Sequence, residues 1–192
     1  MVRVGVFASG SGTNFENLVK YQLDNEVQYD IKLLIVDKDD AYAIKRAQLL
    51  DIPYYIIKLK DYINKEEYEK KIVKILLDNE IDLIVLAGYM KIISDYLLKK
   101  YSNRIINIHP AYLPNYPGAH GIKDAFDDNA IETGVTIHYV DSGIDTGKII
   151  YQEKIVIEKN WSLSELEDKV HELEYKIYPT TLNQICKNLE RG

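Results

Sequence analysis

Apolar residues in this chain fall into short, nearly unbroken runs separated by longer stretches with helical periodicity. Residues 2–8, 31–36, 54–57 and 81–87 read as strands, the first and last of them covered on both faces. Residues 104–109 form a further β-branched run that Pro110 must end, because proline offers no N–H to a sheet ladder. Between these runs the pattern predicts helices. Thr13 with Glu16 has capping-box spacing, ahead of an apolar face made by Phe15, Leu18, Val19 and Leu23. Residues 41–50 and 94–101 also read as helical, and Asn64 can cap a helix over 65–79 that buries Tyr68, Ile72, Ile75 and Leu76. Further on, 120–128 reads as a helix, while 135–141 and 148–157 read as strands. Ser162 with Glu165 opens a last helix carrying Leu166, Val170, Leu173 and Ile177, expected to kink or break at Pro179. Strands alternating with helices predict an α/β fold, with a Rossmann-like, mostly parallel central sheet and helices on both faces.

Composition narrows the class. A chain of 192 residues can bury one good core, as one domain or a pair of tightly joined lobes. Its 24 basic and 30 acidic residues give a formal charge of −6, which argues against a non-specific nucleic-acid binder. Cys186 is the single cysteine, so no intrachain disulfide can form, as suits a reducing cytoplasm. No stretch approaches the ~20 apolar residues of a membrane helix, and the start reads as a strand rather than a signal peptide. A cytoplasmic protein without membrane or nucleic-acid partners is the expectation. Tyrosine outnumbers phenylalanine by 16 to 3, which we read as compositional bias.

Polar chemistry gathers in residues 107–120, Asn-Ile-His-Pro-Ala-Tyr-Leu-Pro-Asn-Tyr-Pro-Gly-Ala-His. On a strand Asn107 and His109 project to one face, with Ile106 and Ile108 on the other. That puts an amide and an imidazole at a strand's carboxyl end, the edge where open α/β sheets bind ligands. By spacing alone the pair could equally satisfy backbone groups in a proline-rich loop. A second feature is the turn Ser9-Gly10-Ser11-Gly12-Thr13-Asn14 between a strand and a helix, which would present free N–H groups to an anion. It completes neither a dinucleotide fingerprint, since Phe15 stands where a third glycine would be needed, nor a Walker motif. Glycines used only for turning would look the same.

Four motifs occur together and in order: the 9–14 turn, Ala87-Gly88-Tyr89-Met90-Lys91-Ile92-Ile93, Asn107-x-His109-Pro110 with Leu113-Pro114 and Pro117-Gly118, and His138-Tyr139-Val140 followed by Asp145-Thr146-Gly147. In this the chain resembles the folate-dependent formyltransferases over most of its length. The likeness is to the branch that uses a phosphorylated acceptor. The resemblance implies the formyltransferase fold as one domain, 1–192, with a phosphate-binding half over 1–100 and a folate-binding, catalytic half over 101–192. It implies transfer of a formyl group from 10-formyltetrahydrofolate to the amine of 5′-phosphoribosylglycinamide, in de novo purine biosynthesis. By the same resemblance Gly12, Thr13 and Asn14 bind the acceptor's phosphate and Glu174 helps hold the acceptor. Lys65, Met90, Lys91, Ile92, Ile93 and Asn107 serve the folate. Asn107, His109 and Asp145 are catalytic, the last as the carboxylate that raises the histidine's pKa. By ordinary usage Lys65 and Glu174 would be surface charges, and Asp145 a turn residue between glycines.

That chemistry is consistent with what the side chains can do. An asparagine amide can donate to an oxyanion developing on the formyl group, and an imidazole can deliver a proton near neutral pH. A nearby carboxylate favours the charged imidazole. No metal is expected: His109, His120 and His138 lie close in sequence, but without zinc-ligand spacing. The substrates would be small molecules, and the assembly a monomer or a homodimer. The alternative is a 10-formyltetrahydrofolate hydrolase, with water as the acceptor.

Overall fold

The computed structural model describes residues 1–189. One seven-stranded sheet runs through it in the order β3-β2-β1-β4-β5-β6-β7. Its strands are β1 (Val2–Ala8), β2 (Tyr29–Val36), β3 (Tyr54–Ile56), β4 (Leu83–Leu86), β5 (Ile105–His109), β6 (Glu132–Tyr139) and β7 (Ile149–Val156). The first five pair in parallel, and β6 and β7 join antiparallel at one edge. Helices α1 (Thr13–Asp24), α2 (Ala43–Leu49) and α6 (Leu163–Leu189) cover one face, while α3 (Lys65–Asp78) and α4 (Asp95–Lys100) cover the other. A short α5 (Gly121–Asp127) follows the proline-rich loop.

Alternation within each strand feeds the two cores. On β5, Ile106 and Ile108 join the layer under α1 and α6, while Ile105 joins the layer under α3 and α4. Asn107 and His109 therefore share the face of Ile105, as the period of two requires. Every expected strand and helix is present, although ends differ by a few residues. The last three residues of the expected span 101–192 lie outside the described residues.

Three local expectations are corrected. Thr13 does not cap α1: the cap position is Gly12, with no side-chain capping bond, and Glu16 instead pairs with Arg46 and Lys20. Leu23 does not extend the apolar face, since it is 69% exposed where the helix end leaves the sheet. Nor does Pro179 interrupt the last helix, which runs continuously from Leu163 to Leu189. Proline cannot bond the carbonyl four residues back, that of Tyr175, but Asn17 Nδ2 on α1 donates to it at 2.9 Å. A tertiary contact thus replaces the missing helical bond. By contrast, the second capping box forms, with Ser162 N and Oγ both donating to Glu165 Oε2 at 2.7 and 2.8 Å.

Candidate active site

Parallel strands end together, so the segments that follow β1, β4 and β5 converge at one edge and enclose a cavity of about 590 Å³. The 9–14 turn, the 86–93 segment, residues 107–110 and the loop after β6 all line it, and α6 contributes His171 and Glu174.

The turn is braced by α2. Ala43 N donates to Gly10 O at 3.1 Å and Arg46 Nε to Ser11 O at 2.8 Å. Gly12 adopts φ 71°, and a Cβ there would lie 2.5 Å from Ala43 Cβ, so both the backbone and the neighbouring helix demand glycine. Asn14 Nδ2 donates to Glu174 Oε2 at 3.1 Å, while Asn14 Oδ1 is buried without a partner. Glu174, on the inward side of α6, is only 4% exposed and also accepts from His171 Nδ1 at 2.9 Å. That bond outweighs burial and raises the His171 pKa above its ordinary value. The turn is thus accompanied by a half-exposed histidine whose charged form Glu174 favours, and which spacing alone did not single out.

At the end of β5, His109 is buried, at 3% exposure. Its Nε2 donates to the Tyr116 carbonyl at 2.7 Å, and its Nδ1 lies 3.4 Å from Asp145 Oδ2. Both ring nitrogens face oxygen acceptors, an arrangement that the imidazolium satisfies fully. Asp145 itself stands at φ 54° in the loop after β6, which Gly147 brings close. A Cβ at Gly147 would lie 1.7 Å from Tyr139 O. Gly118 N donates to Asp145 Oδ2 at 2.7 Å, and His138 Nε2 lies 3.5 Å from Oδ1. Burial pushes the Asp145 carboxyl up, but the bonds from His138 and Gly118 and the two imidazole charges outweigh it and hold its pKa below the ordinary value. Asn107 Nδ2 is 3.2 Å from His138 Nε2 and 3.5 Å from Asp145 Oδ1, which orients the amide.

His138 is the member of this cluster that the sequence reading did not assign. It sits on β6 directly opposite Asn107 in the antiparallel register. Its Nδ1 donates to Tyr139 O at 2.8 Å, leaving Nε2 toward Asn107 and Asp145. The only sequence signal was its place in the fourth motif.

Met90, Lys91, Ile92 and Ile93 all line the cavity. Their segment has no helical or strand pairing and is tied to β1 by Ser9, whose N donates to Gly88 O at 3.0 Å and whose Oγ accepts from Met90 N at 2.8 Å. Lys65 is not among the lining residues. It opens α3, whose first turn is fixed by Glu67 N donating to Asn64 Oδ1 at 2.9 Å, and the lysines on the cavity wall are Lys38 and Lys91. Among the described residues, no three His, Cys, Asp or Glu side chains are grouped to hold a metal ion. No described helix is long and apolar enough to cross a membrane.

Known proteins match this architecture. The family model described as formyl transferase matches residues 2–182. A relative named phosphoribosylglycinamide formyltransferase, from Bacillus subtilis (strain 168), is 41% identical over 192 residues, covering 100% of this chain and 98% of its own. The solved phosphoribosylglycinamide formyltransferase from Bacillus halodurans is 44% identical with a TM-score of 0.92, covering 95% of this chain and 94% of that one. Glycinamide ribonucleotide transformylase 1 from Geobacillus kaustophilus is 40% identical with a TM-score of 0.94, covering 97% and 99%. With the match running from β1 into α6, at these identities and over these lengths, the chain belongs to the formyl transferase family.

Proposed function

We propose that the protein transfers the formyl group of 10-formyltetrahydrofolate to the amine of 5′-phosphoribosylglycinamide, a step of de novo purine biosynthesis in the cytoplasm. The observation that carries this reading is one cavity lined by Asn107, His109 and Asp145 together with the Gly12 turn. The full-length relatives named for this transfer support it and do not favour the hydrolase. The chain acts as a single domain, with the phosphate-binding turn in residues 1–100 and the catalytic groups, together with His171 and Glu174, in the remainder.

The donor supplies an electrophilic formyl carbon. As the acceptor amine bonds to that carbon, its oxygen gains negative charge, and Asn107 Nδ2 donates to it in exchange for the long contact to Asp145. Breakdown then cleaves the bond to the folate nitrogen, which leaves with a proton from His109, while the attacking amine loses one proton to solvent and the imidazole regains one, so the transfer is proton-neutral. Asp145, held ionised by Gly118 and His138, stabilises the imidazolium and fixes the ring together with the Tyr116 carbonyl. His138 orients Asn107. At the other part of the cavity, the N–H groups of the Gly12–Asn14 turn and the His171 cation receive the phosphate, and Glu174 accepts from a sugar hydroxyl. Met90 to Ile93 form the folate wall with their backbone and apolar atoms, and Lys65 lies outside that lining.

Purified protein given 10-formyltetrahydrofolate should release deformylated folate rapidly with phosphoribosylglycinamide present and slowly without it. Turnover at the same rate in both conditions would instead identify a hydrolase.

A further inference from the structure

Residues 88–93 have no helix or strand to hold them, so beyond the backbone bond at Gly88 it is side chains that fix the shape of this wall. Ser9 Oγ anchors one end at Met90 N, and the buried Glu69 anchors the other, receiving Ser94 N at 2.9 Å and Ser94 Oγ. A third anchor lies between them. Asp37, just past the end of β2, has a wholly buried side chain, and neither of its carboxylate oxygens receives a hydrogen bond. Lys91 Nζ stands 3.4 Å from Oδ2, and the lysine stem reaches it from the cavity wall. Among the described residues no second cation pairs with Asp37. Tyr68 and Tyr89 bond to each other through their hydroxyls, and burial above all, with a smaller contribution from the nearby acids Asp37 and Glu69, keeps both phenols protonated.

We propose that Asp37 is a positioning residue for the donor-binding wall: its buried charge commits Lys91 to the protein, and thereby holds the 88–93 segment in shape instead of leaving Lys91 free to meet the donor's carboxylates. This rests on the reading of 88–93 as the folate wall. The reason is electrostatic. A carboxylate removed from water without hydrogen bonds requires a counter-ion, and a lysine drawn away to an anionic ligand would leave that charge buried and uncompensated. Lys91 therefore contributes to donor binding through where its backbone lies, and its ammonium group serves Asp37.

The test compares Asp37→Asn, Lys91→Met and the double variant, each assayed with both substrates for kcat, donor KM and acceptor KM. Asp37→Asn should raise the donor KM by roughly 3- to 10-fold, with kcat and acceptor KM within about twofold. Lys91→Met should be worse, by about tenfold or more in donor KM, and should lower the Tm further, because it strands the buried carboxylate. The double variant removes both charges and should recover several-fold of the Lys91→Met loss, the non-additivity expected of a coupled pair. Equal donor KM values for Lys91→Met and the double variant would show that Lys91 binds the donor directly and would overturn the proposal, as would an Asp37→Asn enzyme with both KM values unchanged. A rise in acceptor KM alone would overturn it differently, through the donor-wall reading on which it rests, while leaving the pair's anchoring role visible. Should Lys91→Met fail to fold, Asp37→Asn against the double variant still decides, since a directly binding lysine makes only the latter weak for the donor.

Discussion

Replacing Asp145 with asparagine keeps the shape of the side chain and removes the charge that faces His109. Across 3.4 Å, two unit charges interact by about 5 kcal/mol at an effective dielectric near 20. The cavity is open to water and His138 shares the carboxylate, so about 2–4 kcal/mol is the part we assign to the imidazolium of His109. An asparagine can still accept from Gly118 N through its oxygen, but its NH₂ then faces the Asn107 amide, so donor meets donor. If that stabilisation is expressed in the transition state, kcat falls about 30- to 1000-fold. Both KM values should stay within roughly threefold, because neither substrate depends on this charge for binding. Steady-state kinetics on Asp145→Asn, His109→Asn and the double variant provide the assay. The double variant should be about as slow as His109→Asn, since the two groups act as one unit. A drop of less than about threefold in Asp145→Asn, or cleanly multiplicative losses, would refute the coupling and return Asp145 to the role of a turn residue.

Three further substitutions probe separate parts of the structure. Gly12→Val places a branched Cβ at φ 71° against Ala43, so it should raise the acceptor KM and destabilise the protein by about 2 kcal/mol or more, read from urea unfolding; an unchanged acceptor KM would separate the turn from phosphate binding. Asn17→Ala should cost about 1–2 kcal/mol in the same assay by leaving the Tyr175 carbonyl without its donor beside Pro179, and no change would mean that water replaces the amide. Because the His171 pKa is raised by Glu174, the ion pair's contribution to stability is complete below the ordinary histidine value of 6.5 and is lost as pH rises through the raised folded value. The acceptor KM should climb over that same interval above 6.5, and His171→Ala should remove the pH dependence; a wild-type KM flat across the range would place His171 away from the phosphate. In the opposite sense, the depressed pKa of Asp145 contributes stability above the ordinary carboxyl value of 3.8 that is lost as pH falls through the folded value, so Asp145→Asn and the parent protein should converge in Tm in acid.

What the sequence determined by itself was local. The period of two placed Asn107 and His109 together, unbroken apolar runs marked β1 and β4 as doubly covered, and the order of strands and helices implied the sheet, because each of these depends only on near neighbours in the chain. Motif order likewise pointed to the family before any contact was known. Tertiary structure decided whatever required two distant segments to meet. The β5–β6 register put His138 opposite Asn107, and packing of α1 on α6 let Asn17 satisfy the carbonyl that Pro179 leaves free, so a predicted break became a continuous helix. Contact with α2 made Gly12 the cap that Thr13 was expected to be. Charges were the least legible of all. Lys65, Asp37 and Glu174 look alike in a sequence, yet the first sits outside the cavity while the other two are buried, because the energy of a charge depends on the water and counter-ions around it, and those are set by the fold.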